Sequence, residues 1–445
     1  RRQRQMCIRD SYYSSAGEWA DIVSLPELCA VLIKEIDSQG MTELMYGIEQ
    51  PLTEVLASME YTGVKVDVEG VKRFGETLTD EIEGIESQIY FMCGKEFNIA
   101  SPKQLGEILH EMGLPLKKKT KNGFSTNAEV LEELRDKHPV IDLVLRYRQL
   151  TKLNSTYVEG LLKTVESDGR IHTVFKQTET RTGRISSTEP NMQNIPVRTE
   201  LGREMRKFFI VPEGKTLLDA DYSQIELRIV AHICNDPVMI KGFSEGADIH
   251  TSTAAQVFGL PEEMITPEMR SAAKAVNFGI IYGIGAFSLS KDINVSVYEA
   301  KKYIDDYLHN FPNVEKFMND TVENAKKNGY VTTMFGRKRY VPELSASNKN
   351  MQAAGRRIAM NTPIQGSAAD IIKIAMVRVY RRLKEEVPDA RLILQVHDEL
   401  IVECDLKDAE AAGKILSEEM TNACELKVPL TADVNRGDSW YEAKG

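Results

Sequence analysis

The chain has 445 residues, of which 42% are hydrophobic, and 66 acidic against 56 basic residues give it a formal net charge of −10. At ~100–200 residues per domain, this length predicts about two to four domains. No uninterrupted apolar run is long enough to cross a bilayer and no secretory signal is recognised, which excludes a membrane protein. The acidic balance disfavours nucleic-acid binding through overall charge, so any phosphate binding must come from local basic clusters.

The first residues fit no helix or strand periodicity. Residues 1–10 resemble the translation of a DNA library adapter, and we interpret them as a non-native scar. Residues 11–45 contain helical patches but are too short for an independent domain, which predicts the remnant of a preceding one. The 6 cysteines are scattered without a CxxC pair, which predicts the reduced thiols of a cytoplasmic protein.

From Met45 to about Tyr157 the pattern is mostly helical, and the capping residues in Ser101–Leu105 and Ser125–Glu129 predict two helix starts. Between these two helix starts a loop tip carries four lysines, Lys117, Lys118, Lys119 and Lys121. Such a cluster is typical either of a solvated loop or of a phosphate-binding patch.

A long helical segment around Val140–Val165 leads to Arg170–Phe175, whose alternation predicts a strand. The polar loop Thr180–Pro196 follows, with side chains of the kind that cap a core or contact a ligand. The apolar run Leu217–Ala220 then predicts a strand that places Asp221 at a turn, and an amphipathic helix begins after it.

Helical patterns dominate over about 226–327. Within them Arg270, Lys274, Phe278 and Tyr282 recur every four residues. Steps of four advance only ~40° around a helix, so these residues form one stripe that begins with cations and ends with aromatic rings. The stripe suits a nucleoside triphosphate lying along the helix. A basic amphipathic helix with an aromatic core edge is the alternative.

The C-terminal part predicts a long helix over about 352–384 and a hairpin over 391–403 whose turn carries Asp398. Asp221 and Asp398 stand at strand ends, where a charge has no evident structural partner and where two cations ~3.5–4 Å apart could share their oxygens. Carboxylates and the Tyr222 carbonyl, without His or Cys, favour Mg²⁺. Turn-capping aspartates are the alternative. The order of acid, basic helix and acid is that of a template-directed nucleotide polymerase.

Four segments in this order resemble motifs of the family A DNA polymerases, of the bacterial DNA polymerase I type: Thr182–Ser187, the Asp221 segment, the Arg270–Gly283 helix and the His397–Glu399 turn. The segment Asn361–Gly366 also matches, and the resemblance covers nearly everything after residue 40. It implies an α+β right-hand fold with an antiparallel-sheet palm, a helical thumb and helical fingers. The implied boundaries are an exonuclease-like remnant at 11–45, the thumb at 46–170, the palm at 171–227 and 352–445, and the fingers at 228–351.

The resemblance also implies roles for individual residues. Asp221 and Asp398 would be the catalytic metal ligands, with Glu399 a nearby helper rather than a main ligand. The implied nucleotide contacts are Gln224, Glu226, His250, Arg270, Lys274, Phe278 and Tyr282. The implied DNA contacts are Arg184, Asn191, Gln193, Arg357, Asn361, Gln365 and His397, together with the four lysines Lys117, Lys118, Lys119 and Lys121.

The implied activity is template-directed addition of dNTPs to a primer 3′-hydroxyl with two Mg²⁺ ions, in DNA replication and repair. The expected partners are primer-template DNA and dNTPs, and the expected state is a cytoplasmic, nucleoid-associated monomer without membrane contact. No proofreading or 5′-nuclease domain is expected in this sequence. A single-subunit RNA polymerase is one alternative, against which Glu226 argues by obstructing a ribose 2′-hydroxyl. An inactive DNA-binding relative is the other, against which Asp221 and Asp398 argue.

Overall fold

The structure is a computed structural model that describes residues 24–116, 119–120, 123–196 and 200–444. The predicted scar at 1–10 and three of the four lysines, Lys117, Lys118 and Lys121, lie outside the described residues, and only the main chain of Lys119 is described. None of the described helices is both long enough and apolar enough to cross a membrane.

Helices form most of the described chain. In chain order, α1 to α19 are Leu25–Ser38, Thr42–Leu44, Gln50–Thr62, Val68–Cys93, Pro102–Glu111, Ala128–Glu132, Val140–Lys152, Glu159–Leu162, Glu200–Met205, Ile225–Cys234, Pro237–Ser244, Ile249–Phe258, Pro267–Ile281, Ala286–Asp292, Val297–Asn310, Pro312–Asn328, Lys349–Glu386, Ala409–Thr421 and Trp440–Lys444. Strands β1 to β12 are Val64–Lys65, Lys119–Thr120, Gly123–Phe124, Arg170–Ile171, Val174–Lys176, Ser186–Thr188, Lys215–Tyr222, Tyr330–Thr332, Lys338–Tyr340, Arg391–Val396, Glu399–Asp405 and Ala432–Gly437.

A four-stranded antiparallel sheet lies at the centre of the fold, in the order β10, β11, β7, β12. Strand β7 is central and nearly all of its residues are buried, which explains why its sequence is an almost continuous apolar run. Directly opposite residues of antiparallel strands share one face of the sheet. The register places Glu399 and Asp433 opposite Asp221, one on each neighbouring strand.

Helix α17 is 38 residues long and packs against β10, α10 and α18. It begins at Asn348, whose side chain accepts hydrogen bonds from the backbone N–H groups of Asn350 and Met351. Pro363 lies inside this helix and, because it lacks an N–H group, makes no hydrogen bond to the carbonyl four residues earlier. The Ser367 hydroxyl donates to the Pro363 carbonyl at 2.5 Å. The helix nevertheless continues through Pro363 to Glu386.

Helix α13 carries the predicted stripe and lies between α12 and α14. The Thr266 side chain caps it by accepting from the Met269 N–H, and Pro267 suits its first position because an N–H there has no partner in the helix. Residues such as Val276 and Ile280 are buried on one side. The stripe consequently occupies the more accessible side of the helix.

The structure refines some of the local predictions. The predicted strand over 170–175 consists of two short strands, β4 and β5, because each pairs with a different partner, β1 and β6. The helix start predicted within Ser125–Glu129 is confirmed, since α6 begins at Ala128 and the Asn127 side chain caps it by accepting from the Val130 N–H. The predicted helix over 140–165 is interrupted by a π-helical segment, Leu153–Val158, between α7 and α8.

Candidate active site

Asp221 and Asp398 lie together at one end of the central sheet. Residue 221 is the next to last of β7, and Asp398 lies in the tight turn between β10 and β11, where His397 adopts a left-handed φ of 55°. The Tyr222 N–H donates to the Asp398 carbonyl at 3.2 Å, which closes the turn onto β7. Burial, and next the charge of Asp221, raise the pKa of Asp398 to about 7. Two carboxylates in such proximity repel each other, and a bound cation would relieve the repulsion.

The donor atoms here fit a hard divalent cation. Asp221 Oδ1 is buried and has no hydrogen-bond partner within the described part of the chain. The Tyr222 ring is held away from the site, because its hydroxyl donates to the Met420 carbonyl at 2.7 Å. Carboxylate oxygens together with a main-chain carbonyl are ligands that Mg²⁺ accepts. The assignment of Asp221, Tyr222 and Asp398 as ligands stays a prediction.

Glu399 is held by several neighbours and has a side-chain exposure of 5%. Trp440 Nε1 donates to its Oε1 at 2.7 Å, Lys444 Nζ lies 2.6 Å from its Oε2, and Arg206 lies 3.6 Å from Oε1. Although burial opposes the effect, the charge of Lys444 lowers the pKa of Glu399. Burial, and next the charge of Glu399, raise the pKa of the adjacent Asp219. These contacts leave Glu399 little freedom to act as a main metal ligand.

One expectation about Asp221 was wrong. Its charge does have a structural partner, because Lys444 Nζ lies 2.8 Å from Asp221 Oδ2. Asp219, Arg206, Trp440 and Lys444 also belong to this site, although none of them was predicted. Period-two alternation along β7 places residue 219 on the same face as residue 221 and could have identified it. Nothing in the local pattern around Lys444 indicates its contact, which depends on the packing of α19.

The stripe on α13 contacts residues of α12. Arg270 Nε donates to Asp248 Oδ2 at 2.5 Å, and, although burial opposes it, this bond lowers the pKa of Asp248 to about 2. The Phe278 ring lies 5.8 Å from the His250 ring and 6.2 Å from the Tyr282 ring, measured between centroids. Burial lowers the pKa of His250 to about 4, so this side chain is neutral at neutral pH.

Glu226 connects the stripe to the polar loop. Its carboxylate accepts from Arg184 at 2.7 Å and from the Tyr282 hydroxyl. Burial raises the pKa of Glu226, and the Arg184 charge opposes this shift. Gln224, just before α10, adopts a left-handed φ of 56°, and its Oε1 is buried without a partner among the described residues.

A cleft of about 530 Å³ opens in front of Asp398. The predicted residues among those that line it are Arg184, Asn191, Gln193, Glu226, His397 and Asp398. Gln193 is fixed by donating to the Gln395 side chain at 3.0 Å. Six residues that were predicted to contact metal, nucleotide or DNA are thereby brought to one surface.

Three other predicted DNA contacts do not line this cleft. Arg357, Asn361 and Gln365 lie on α17 at steps of four, so they form a second stripe. Arg357 is exposed, but the base of its side chain lies close to Gly283, which follows the end of α13. A Cβ added to Gly283 would lie 3.2 Å from Arg357 Cγ. The absence of a Cβ at Gly283, which has a φ of +72°, lets the two helices approach.

A separate acidic group lies elsewhere on the surface. The carboxylates of Asp389, Asp405 and Asp408 have oxygens within 4.8 Å of one another. Lys215 and Lys407 form ion pairs with this group, at 3.0 Å and 3.6 Å from the Asp405 oxygens. Its charge is therefore partly compensated, and it is distinct from the predicted metal site.

Comparisons with known proteins bear on the family and the fold. Residues 68–442 match the family model described as DNA polymerase family A. The chain is 49% identical over 425 residues to a DNA polymerase I of Caldicellulosiruptor bescii. This alignment covers 95% of this chain and 50% of that protein. It is 50% identical over 425 residues to a DNA polymerase I of Bacillus subtilis, and this alignment covers 95% of this chain and 48% of the relative.

A solved structure is similar as well. It is described as the POL domain of Pol1 from M. smegmatis in complex with DNA primer-template and dNTP. The TM-score is 0.91 at 42% identity, over 95% of this chain and 75% of that one. This similarity confirms the α+β polymerase fold. The chain spans about half the length of the curated relatives that it matches. The matched family model and these identities show that the chain belongs to DNA polymerase family A.

Proposed function

We propose that this chain is a DNA-directed DNA polymerase region that adds dNTPs to a primer 3′-hydroxyl under template control. Its partners would be primer-template DNA and dNTPs, which are the molecules bound by the M. smegmatis POL domain. Its cofactor would be two Mg²⁺ ions, and it would act as a monomer in the bacterial cytoplasm, at the nucleoid.

The observation that carries this proposal is the meeting of Asp221 and Asp398 at one end of the central sheet, next to the cleft that Asp398 lines. Asp221 and Asp398 are far apart in sequence, and the fold places their carboxylates at the ends of adjacent strands. Burial, together with repulsion by Asp221, raises the pKa of Asp398 to about 7. Such an arrangement costs folding free energy unless a cation compensates it. When bound, the ions would activate the primer hydroxyl and neutralise the leaving pyrophosphate.

The side chains of α13 would hold the incoming nucleotide. Lys274 is exposed, and Arg270 would exchange its bond to Asp248 for one to the triphosphate. Phe278 would pack against the sugar and base, and Glu226, fixed by Arg184 and Tyr282, would occupy the space that a 2′-hydroxyl needs.

The remaining predicted residues would hold the DNA. Donors from Arg184, Asn361, Gln365 and His397 suit the minor-groove acceptors that all correct base pairs share, so they would sense pair geometry rather than sequence. The other residues of this proposed surface are Asn191, Gln193 and Arg357. The lysines Lys117, Lys118, Lys119 and Lys121 would bind backbone phosphates further from the primer end.

The proposed domains follow from this assignment. We assign 46–170 to the thumb, where the long helices α4 and α7 pack together. The palm would comprise 171–227 and 352–445, which contain the central sheet and α17, and the fingers would comprise 228–351, which contain α13. Residues 11–45 would be the remnant of an exonuclease-like domain, of which 24–45 are described.

Primer extension with Mg²⁺ tests the proposal directly. Asp398→Asn keeps the size of the side chain but removes a ligand charge, so the extension rate should fall by about three orders of magnitude or more while affinity for primer-template changes little. Asp405→Asn is the matched control, because it neutralises a half-buried acid at the far end of β11. Near-normal extension by Asp398→Asn would refute the two-metal assignment. Inactivity of the parent chain would instead support an inactive DNA-binding relative.

A further inference from the structure

Lys444 places an ammonium group between two acids of the candidate active site. Its Nζ lies 2.8 Å from Asp221 Oδ2 and 2.6 Å from Glu399 Oε2. The side chain of Lys444 is 32% exposed, whereas that of Glu399 is 5% exposed. An ammonium group within hydrogen-bond distance of two carboxylates occupies the kind of position that a divalent metal ion would take.

The short helix α19 that carries Lys444 is firmly anchored. Trp440 is buried, with its Nε1 donating to Glu399 at 2.7 Å and its main-chain N–H donating to the Phe209 carbonyl at 2.9 Å. The Arg206 guanidinium lies over the Trp440 ring, 3.9 Å from its centroid. Lys444 is therefore held at the acids by packing and is not a surface lysine that contacts them by chance.

The acids at this site have oxygen atoms that Lys444 does not contact. Asp221 uses one carboxylate oxygen for Lys444, and the other, Oδ1, is buried without a partner among the described residues. Asp219 Oδ2 is likewise buried and unpaired in the described part of the chain. Either oxygen of an ionised carboxylate can serve as a ligand of a divalent cation. Lys444 occupies one of the Asp221 oxygens in this structure.

We propose that Lys444 is a positioning residue that acts as an exchangeable counter-ion: it orients Asp221 and Glu399 without divalent ions and yields Asp221 Oδ2 when those ions bind. Its charge would then set how tightly the site binds cations. The relevance of this exchange to catalysis rests on the proposed polymerase function. The cation competition itself does not, because it can be measured without DNA or nucleotides.

Direct binding of Mn²⁺ to the DNA-free protein, followed by electron paramagnetic resonance, tests the inference. Lys444→Met removes a competing positive charge a few ångströms from the ions, so Mn²⁺ should bind about tenfold more tightly. Lys444→Arg keeps the charge and should bind no more tightly than the parent. Lys207→Met is the matched control, because Lys207 contacts Tyr441 of the same helix but pairs with Glu204, away from the site acids.

Thermal unfolding supplies a second readout. In a chelator, Lys444→Met should unfold at a lower temperature than the parent, because the acids lose their counter-ion, and Mn²⁺ should restore much of the difference. A merely structural lysine would give lower stability without tighter binding. Unchanged or weaker Mn²⁺ binding by Lys444→Met would overturn the proposal. Lys444→Gln, which can still donate to Asp221, provides a second neutral variant if the methionine variant does not fold.

Discussion

Glu226 shows how one side chain can combine selectivity with structural support. It is half-buried at the cleft and joins three elements through Arg184 of the polar loop, its own helix α10 and Tyr282 at the end of α13. A carboxylate fixed from two sides is a rigid obstacle. Rigidity matters because a flexible side chain would move aside for a ribose at little cost.

Glu226→Ala should therefore improve incorporation of ribonucleotides relative to deoxynucleotides, by about tenfold or more. Overall activity should fall, since Arg184 and Tyr282 lose their shared partner. Competition between paired dNTP and rNTP gives the ratio of kcat/KM values that measures this selectivity. Glu226→Gln is the control, because it removes the charge and keeps the bulk. An unchanged ratio in the alanine variant would place the steric barrier elsewhere and would favour the RNA polymerase alternative.

Phe278 lies at the centre of the aromatic end of the stripe, between His250 and Tyr282. By the family resemblance, phenylalanine at this position accompanies rejection of 2′,3′-dideoxynucleotides. Phe278→Tyr adds one hydroxyl near the sugar and should raise the use of dideoxynucleotides sharply, by about two orders of magnitude, with little effect on normal extension. Chain-termination assays measure the change. Phe258→Tyr, which adds the same hydroxyl beside Tyr303, should leave discrimination as in the parent.

At the scale of elements, α12 and α13 act as a pair. Asp248 caps α12 through the N–H groups of His250 and Thr251 and also accepts from Arg270 of α13. His250 and Asn277 form a second connection, with 2.9 Å between the Asn277 amide nitrogen and His250 Nδ1. Both connections depend on charge states: an ionised Asp248 and a neutral His250.

Acidification should weaken this helix pair. The pKa of His250 falls from 6.5 to about 4 on folding, so between these pH values the unfolded chain binds more protons than the folded one. The contribution of neutral His250 to the free energy of unfolding is therefore fully present above about pH 6.5 and is lost as the pH falls toward 4. At pH ~5 the loss should be about 1 to 2 kcal/mol. Urea unfolding at about pH 5 and pH 7.5 should show a smaller acid loss in His250→Gln than in the parent. His309→Gln is the control, because His309 is exposed. If His250→Gln and the parent lose equal free energy of unfolding between about pH 7.5 and pH 5, the lowered pKa of His250 is contradicted.

At the scale of the whole molecule, a buried ion network connects distant segments. Glu49 pairs with Arg337, and Lys373 Nζ lies 2.7 Å from the same carboxylate. Arg337 also lies 2.6 Å from Asp370 of α17. A Cβ on Gly183 would lie 2.5 Å from Arg337 Nε, so the glycine lets the polar loop with Arg184 rest on this network. Buried pairs of this kind add little net stability, but removal of one partner typically costs about 3–5 kcal/mol.

DNA binding also belongs to this scale, because the proposed thumb must supply affinity on a protein of net charge −10. Neutralising Lys117, Lys118 and Lys119 together should weaken binding equally on all DNA sequences. It should also flatten the salt dependence of binding by up to about one slope unit per lost phosphate contact. Titration of labelled primer-template at several salt concentrations measures both effects. An unchanged slope would identify the cluster as an ordinary solvated loop.

Local rules determined much of this protein from its sequence. Steps of four residues placed Arg270, Lys274, Phe278 and Tyr282 on one helix, and the structure has that helix at Pro267–Ile281. The apolar run before Asp221 predicted a buried strand, and the turn signal predicted the hairpin around Asp398. These patterns are readable because helix and strand periods are properties of the backbone. The motif order identified the family for the same reason, since each motif is a short, contiguous segment.

Only the tertiary structure decided which charges meet. Lys444 contacts Asp221 across 223 positions of sequence, and Arg337 contacts Glu49 across 288. No local period encodes such pairings, because they depend on how α19 docks on the sheet and how the β8–β9 hairpin docks on α17. The pKa shifts of Asp398 and His250 could not be predicted from the sequence either. Burial is the main cause of both shifts, and burial depends on how the folded chain packs.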